Sequence, residues 1–413
     1  MNAQTASAAE IESPYAWLRL VTAIVIGTIG GVGMWSPVLV VPAVQADFGV
    51  ARAEAALPYT LTMIGFVFGS ILAGRLADKR GIILPVVLAT ITMSLGYMLA
   101  SKAPSFWVFA AICGLMGFMG SAAFFAPLLA DTSLWFDRRR GLAISLCAAG
   151  NYVAGTIWPP VLEYFISNHG WRDTHFYVGV FCLVTLLPLS LLLRRKPPVQ
   201  AAPSAAAQSG FIRPLGLKPN MLQGLILLMG LGCCVAMSMP QVHIVAYCVD
   251  LGYGPARGAE MLSLMLGFGI ISRLASGWIL DKIGGLSTLL LGSTFQMLAL
   301  ALYLPFDGLM SLYVISAIFG LVQGGIVPSY AFIIRELFPA GQAGLRVSLA
   351  ISATLAGMAL GGWMSGKIYD FTGSYQAALL NGIAWNLANV AIAAWLLWRQ
   401  MQHRRAAGVT VMS

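Results

Sequence analysis

Charge is what this sequence has least of: 9% of its 413 residues are Asp, Glu, Lys or Arg, against 59% hydrophobic. A soluble chain of this length needs a far larger charged share to cover its surface, so an ordinary soluble protein is excluded. Metal or disulfide spacing is missing as well. Cys113, Cys147, Cys182, Cys233, Cys234 and Cys248 lie inside or at the ends of apolar runs, with no CxxC among them, and read as small buried hydrophobes. There is no HExxH, cofactor loop, Ser/His constellation or pair of intramembrane aspartates; no enzyme activity, cofactor or metal is therefore expected. The start, Met1 to Glu12, has neither the basic region nor the short apolar core of a signal peptide.

What is present is a succession of apolar segments, each near the roughly 20 residues needed to cross a bilayer core. Six fall near 17–44, 55–74, 82–101, 105–131, 141–166 and 174–193, and six more near 220–249, 258–280, 286–305, 309–334, 346–366 and 375–398. The stretch between the sixes, rich in Pro, Ala and Ser, has linker composition. The expected fold is an all-α membrane protein of twelve transmembrane helices in two pseudo-symmetric six-helix bundles. Its expected parts are an N-terminal tail (1–16), a first bundle (17–193), a linker (194–219), a second bundle (220–398) and a C-terminal tail (399–413).

The net charge of +9 then reads as topology. With the N-terminus inside, the outer side receives only Arg52, Lys102, Arg172, Arg257 and Lys367, and every other Lys and Arg except Arg273 falls on the inner side. Cytoplasmic loops carry such an excess. Both termini are thus expected in the cytoplasm, in a multi-pass protein of the inner (plasma) membrane. The lipid bilayer is the implied partner, with no nucleic acid and no obligatory protein partner.

Arg273 stands apart, about two turns inside the eighth segment. A guanidinium stays charged under any protein condition, so in hydrocarbon it must face a partner, a water-filled cavity or an anionic ligand. No Asp, Glu or Lys occupies the middle of any segment; Glu54, Asp131, Glu163 and Asp250 lie near segment ends. Two readings stand: an anionic substrate compensates Arg273, or the arginine serves packing against carbonyls or a carboxylate from elsewhere. One cation suits one negative charge, and a planar guanidinium matches a carboxylate bidentately.

The two sixes share a motif. Gly74-Arg-Leu-Ala-Asp78-Lys79-Arg80-Gly81 recurs 203 residues on as Gly277-Trp-Ile-Leu-Asp281-Lys282-Ile-Gly284. The pattern implies a tight turn in which glycines allow close packing and positive φ. It resembles the major facilitator superfamily, whose second and third helices are joined by this sequence with an echo between the eighth and ninth. Trp135-Phe-Asp-Arg138-Arg139-Arg-Gly-Leu142-Ala143, running on to Ala149-Gly150, is similar to the signature of the monocarboxylate transporters. Gly170-Trp171-Arg172, the run from Pro240 through His243 to Gly252, and Tyr369-Asp370-Phe-Thr-Gly373-Ser-Tyr375 are similar to bacterial relatives that include the oxalate/formate antiporter group.

The resemblance implies a secondary carrier for small organic anions, working by alternating access, with the substrate carboxylate held by Arg273. The pattern departs at Val38 and Gly269, where animal monocarboxylate carriers have a lysine and an aspartate, and at 348–362, which lacks the lysine of the oxalate exchangers. The expected cargo is therefore a lactate- or pyruvate-like monocarboxylate, with a proton co-transported. Oxalate/formate-type exchange is the alternative, and export of hydrophobic compounds a weaker one.

The remaining candidates follow from position. Trp35, Tyr59, Phe124, Asn151, Gln323 and Tyr330 lie in segments that would line a facilitator-type pathway; each aromatic also reads as core or lipid-facing packing, and each amide as an interhelical hydrogen bond. His243, near the outer end of the seventh segment, is either the proton-coupling group or a packing histidine. Asp78, Arg80, Asp281, Lys282, Arg138 and Arg139 are expected at inner helix ends as gating or structural charges.

Overall fold

A computed structural model describes residues 11–136, 139–195, 214–338 and 340–406, apart from the side chains of 78, 133, 140, 141, 145, 214, 281, 340–345 and 404–406. Most of the expected linker and the ends of both tails lie outside these residues. Among the described residues the regular structure is helical, and eleven helices are long and apolar enough to cross a bilayer. One of them is two spans, because Arg140–Leu191 turns at Gly170 (φ 79°, ψ 160°), a backbone conformation that favours glycine.

The twelve spans are α1 (Pro14–Leu39), α2 (Leu57–Arg80), α3 (Ile83–Ala100), α4 (Phe106–Thr132), α5 and α6 on either side of Gly170, α7 (Pro219–Asp250), α8 (Pro255–Ile283), α9 (Gly285–Leu302), α10 (Leu309–Leu337), α11 (Ala340–Thr372) and α12 (Tyr375–Ala406). Ser13 begins α1 as an N-cap, its hydroxyl accepting from the Ala16 amide. The repeated motif works through its last glycine. Gly81 and Gly284 end α2 and α8 at φ 81° and 80°, both with ψ 168°, so the chain turns identically in the two halves. The first glycines do not mediate close packing: a Cβ at Gly74 or Gly277 would meet nothing within 4 Å.

Two spans are broken at equivalent places. α4 passes through a π turn at Met116–Gly120 and a 3-10 turn at Ser121–Phe124 before resuming at Ala126. α10 halts at Gln323 and restarts at Ile326, with Gly324 standing 203 residues after Ser121. Pro127 and Pro328 follow the breaks. Proline has no amide hydrogen, so the carbonyl four residues earlier loses its helical donor, Ala123 in one half and Gly324 in the other.

Contacts group the chain into two compact units. The first is Met1–Ala202 with Gln241–Ile270, the second Pro203–Pro240 with Ile271–Ser413. Inside the first, Arg19 of α1 meets Asp131 of α4 through two parallel bonds of 2.8 Å, with both side chains buried. The same guanidinium donates to the Leu193 carbonyl at 2.9 Å and lies 4.7 Å from the Trp135 ring. Arg52 reaches Asp250 at 3.0 and 3.3 Å beside a buried patch of Val41, Ala55 and Ala246, and the Ser263 hydroxyl donates to the Thr156 carbonyl.

The second unit has a buried polar core. Asn389 Nδ2 donates to Ser293 Oγ at 2.8 Å and to Asn386 Oδ1 at 3.0 Å, and Asn386 donates to the Ser293 carbonyl at 2.8 Å. Gln296 donates to the Cys233 carbonyl at 3.1 Å. These amides tie α12, α9 and α7 together where the alternative surroundings, hydrocarbon, offer them no bond.

Candidate functional site

Arg273 lies on α8 at the break of α10, within the second unit. Its Nε donates to the Gly324 carbonyl at 3.3 Å, the carbonyl that Pro328 leaves without a helical donor. Approach is close because the residues are small: a Cβ on Gly325 would come within 2.3 Å of Ser276 Cβ. The Ser276 hydroxyl turns back to the Arg273 carbonyl at 2.8 Å. The contact through Nε fixes the plane of the guanidinium against a dipole. A backbone carbonyl carries no net charge, so this contact by itself does not neutralise the guanidinium.

Two other candidates share this neighbourhood or this unit. Gln323 precedes Gly324 and is fully buried. Tyr330, also fully buried, directs its hydroxyl to Asn389 Oδ1 at 3.5 Å, toward the α9–α12 amide network.

The other candidates belong to the first unit. Trp35 is buried against Gly155 of α5, where an added Cβ would lie 2.8 Å from Cε2, and its indole Nε1 has no hydrogen-bond partner among the described residues. Phe124 sits in the α4 break with its ring on Gly30 of α1, at 2.4 Å from an added Cβ. Tyr59 and His243 are fully buried, and Asn151 is half-buried on α5. Tyr152, next to Asn151, lays its ring over Gly269, with 2.5 Å between Cε1 and an added Cβ. The aspartate that animal carriers have at Gly269 has no room beside this ring.

Of the charges expected to gate or brace helix ends, Lys282 Nζ lies 3.7 Å from the centre of the Trp278 ring. The Arg139 amide donates to Glu12 at 2.7 Å and its guanidinium lies 5.9 Å from Trp17. Arg80 is exposed. Arg138 and the side chains of Asp78 and Asp281 lie outside the described residues. Sequence reading missed the Arg19–Asp131 and Arg52–Asp250 pairs, whose members each stand at a helix end where a charge needs no special explanation. It also passed over Gly324 and Pro328, although a Gly-Gly followed four residues later by Pro is a visible sign of a freed carbonyl in an apolar segment.

Comparison with known proteins agrees with this architecture. The model of the Major Facilitator Superfamily matches residues 23–331. Monocarboxylate transporter 13 of Bos taurus is 29% identical over 333 residues, covering 79% of this chain and 76% of the relative. The uncharacterized MFS-type transporter YcxA of Bacillus subtilis is 24% identical over 338 residues, covering 79% and 82%. Among solved structures, a bacterial homolog of the human lysosomal transporter Spinster, in an inward-facing and occupied conformation, superposes with a TM-score of 0.72 at 16% identity, covering 94% and 97% of the two chains. Its likeness is one of fold. With twelve spans, a turn repeated 203 residues apart and a family match over most of its length, the chain is a member of the major facilitator superfamily.

Proposed function

We propose that this chain is a secondary carrier of a small, lactate- or pyruvate-like monocarboxylate. It works by alternating access in an inner membrane, with both termini in the cytoplasm. The observation that carries the reading is the Arg273–Gly324 contact. A charged, planar group is pinned through Nε at a helix break in the middle of apolar spans. A carboxylate matches that plane with two parallel charge-assisted bonds. The name of the bovine relative, a monocarboxylate transporter, points to the same substrate class. Val38 and Gly269 add no second charge, which favours a monoanion over a dianion. The proton travels with the substrate, on His243, or both.

The test is uptake of labelled lactate and pyruvate into proteoliposomes under an imposed pH gradient. Arg273→Ala and Arg273→Lys are expected to reduce uptake to background, since an ammonium lacks the planar fork. Wild-type rates in either variant would refute the assignment. Uptake that requires an anion on the opposite side and ignores the pH gradient would make the protein an exchanger.

A further inference from the structure

The same cavity occurs twice. One, of about 130 Å³, lies among α8, α9 and α10 in the second unit, and the other, of about 90 Å³, lies among α2, α3 and α4 in the first. Eight of the nine residues around the smaller recur 203 positions later around the larger, Leu88 with Leu291 and Phe118 with Leu321 among them. A packing fault would not be expected at matching positions in two halves whose sequences have diverged; a feature tied to the repeated α4 and α10 breaks would.

The larger cavity is lined mostly by apolar surface. Two of its hydroxyls bond within their own helices, Ser276 to the Arg273 carbonyl at 2.8 Å and Thr288 to the Gly284 carbonyl at 2.9 Å, while Ser272 also lines the space. The mouth is formed by Leu291, Phe295 and Leu321, which are 44%, 48% and 42% exposed on membrane-crossing helices. Large apolar side chains exposed on such helices are covered by bilayer hydrocarbon. Within the cavity, wall atoms without neighbours forgo their dispersion contacts. At the ~30 Å³ that one water occupies, the space holds a chain segment of roughly four heavy atoms.

We infer that these cavities are paired acyl-chain sites, each taking a segment of a membrane lipid tail at a helix break. The α8–α9–α10 site is the stronger, because it is larger.

The experiment uses the full-length protein in nanodiscs containing a phospholipid with a photoactivatable diazirine on its acyl chain, followed by peptide mapping. The expected labelling of Leu291, Phe295 and Leu321 is several-fold above that of Leu298, which is 52% exposed but outside the cavity. Leu72 and Leu88 are expected to rank second. Ala275→Phe places a ring in the cavity from an exposed wall position and is expected to remove the excess, whereas Leu298→Phe leaves it. Exchanging phosphatidylcholine for phosphatidylglycerol is expected to change nothing. Labelling equal to Leu298, labelling indifferent to Ala275→Phe, or labelling that follows the headgroup would each overturn the inference. Repeating the measurement on Arg273→Ala separates it from the carrier reading, since tail labelling is expected to persist when uptake is lost.

Discussion

Arg19 and Arg273 are both arginines of apolar spans, and they are held in different ways. Arg19 meets Asp131 in a fork of two 2.8 Å bonds, adds a carbonyl at 2.9 Å and lies against Trp135, all of it buried. The charge is cancelled inside the protein, and the arrangement serves to hold α1 to α4. Arg273 is half-buried, and its Nε rests on the carbonyl that Pro328 released. Position in a hydrophobic segment does not by itself say what an arginine does: Arg19 is held by a carboxylate, while Arg273 Nε meets a backbone carbonyl.

The largest effect that tests the contrast is on stability. Arg19→Ala leaves the Asp131 carboxylate buried without its cation, and losing one member of a buried pair typically costs about 3–5 kcal/mol. Arg19→Met with Asp131→Leu removes both charges and is expected to recover most of that loss. Thermal unfolding in detergent reads both variants. A single variant as stable as the parent would place Arg19 in the same class as Arg273.

The Arg52–Asp250 pair is intermediate. Arg52 is buried but Asp250 is partly exposed, with 27% of its side chain accessible, so solvent weakens the interaction. Asp250→Asn is expected to cost only about 1 kcal/mol, and the exchange Arg52→Asp with Asp250→Arg to restore part of it. A loss as large as that of Arg19→Ala would show that this pair, too, is fully desolvated.

Much of the architecture was legible in the sequence because hydrocarbon imposes its own code. Segment length gives the spans, and the Gly74–Gly81 motif with its echo at 277–284 shows the repeat. The conformation of that motif was legible only in part: positive φ sits at Gly81 and Gly284 as glycine permits, while Gly74 and Gly277 pack against nothing close. Arg273 announced itself by being alone in the middle of a segment. Its acceptor did not, since Gly324 is 51 residues away and a backbone carbonyl has no sequence identity. Arg19 and Asp131 are 112 residues apart, and each stands at a helix end where the sequence gives no reason to look for a partner. The direction of Tyr330 toward Asn389 depends on helix rotation, which composition does not encode.

The smallest and most discriminating effect concerns the carbonyl itself. Pro328→Ala supplies the amide that Gly324 lacks four residues on, and the helical bond then competes with Arg273 Nε for the same oxygen. Pro328 lies in the first turn of the segment beginning at Ile326, where proline is tolerated, so replacing it changes stability little. The expected outcome is a several-fold rise in KM for the carboxylate with kcat nearly kept, because the guanidinium remains but loses its fixed plane. Losing one hydrogen bond of about 1 kcal/mol corresponds to roughly a fivefold change. The matching change in the other half, Pro127→Ala, acts on the Ala123 carbonyl, far in sequence from Arg273, and is expected to leave KM unchanged. Equal effects of the two substitutions would mean that the prolines matter through helix flexibility, and that the Arg273–Gly324 contact does not set the affinity of the site.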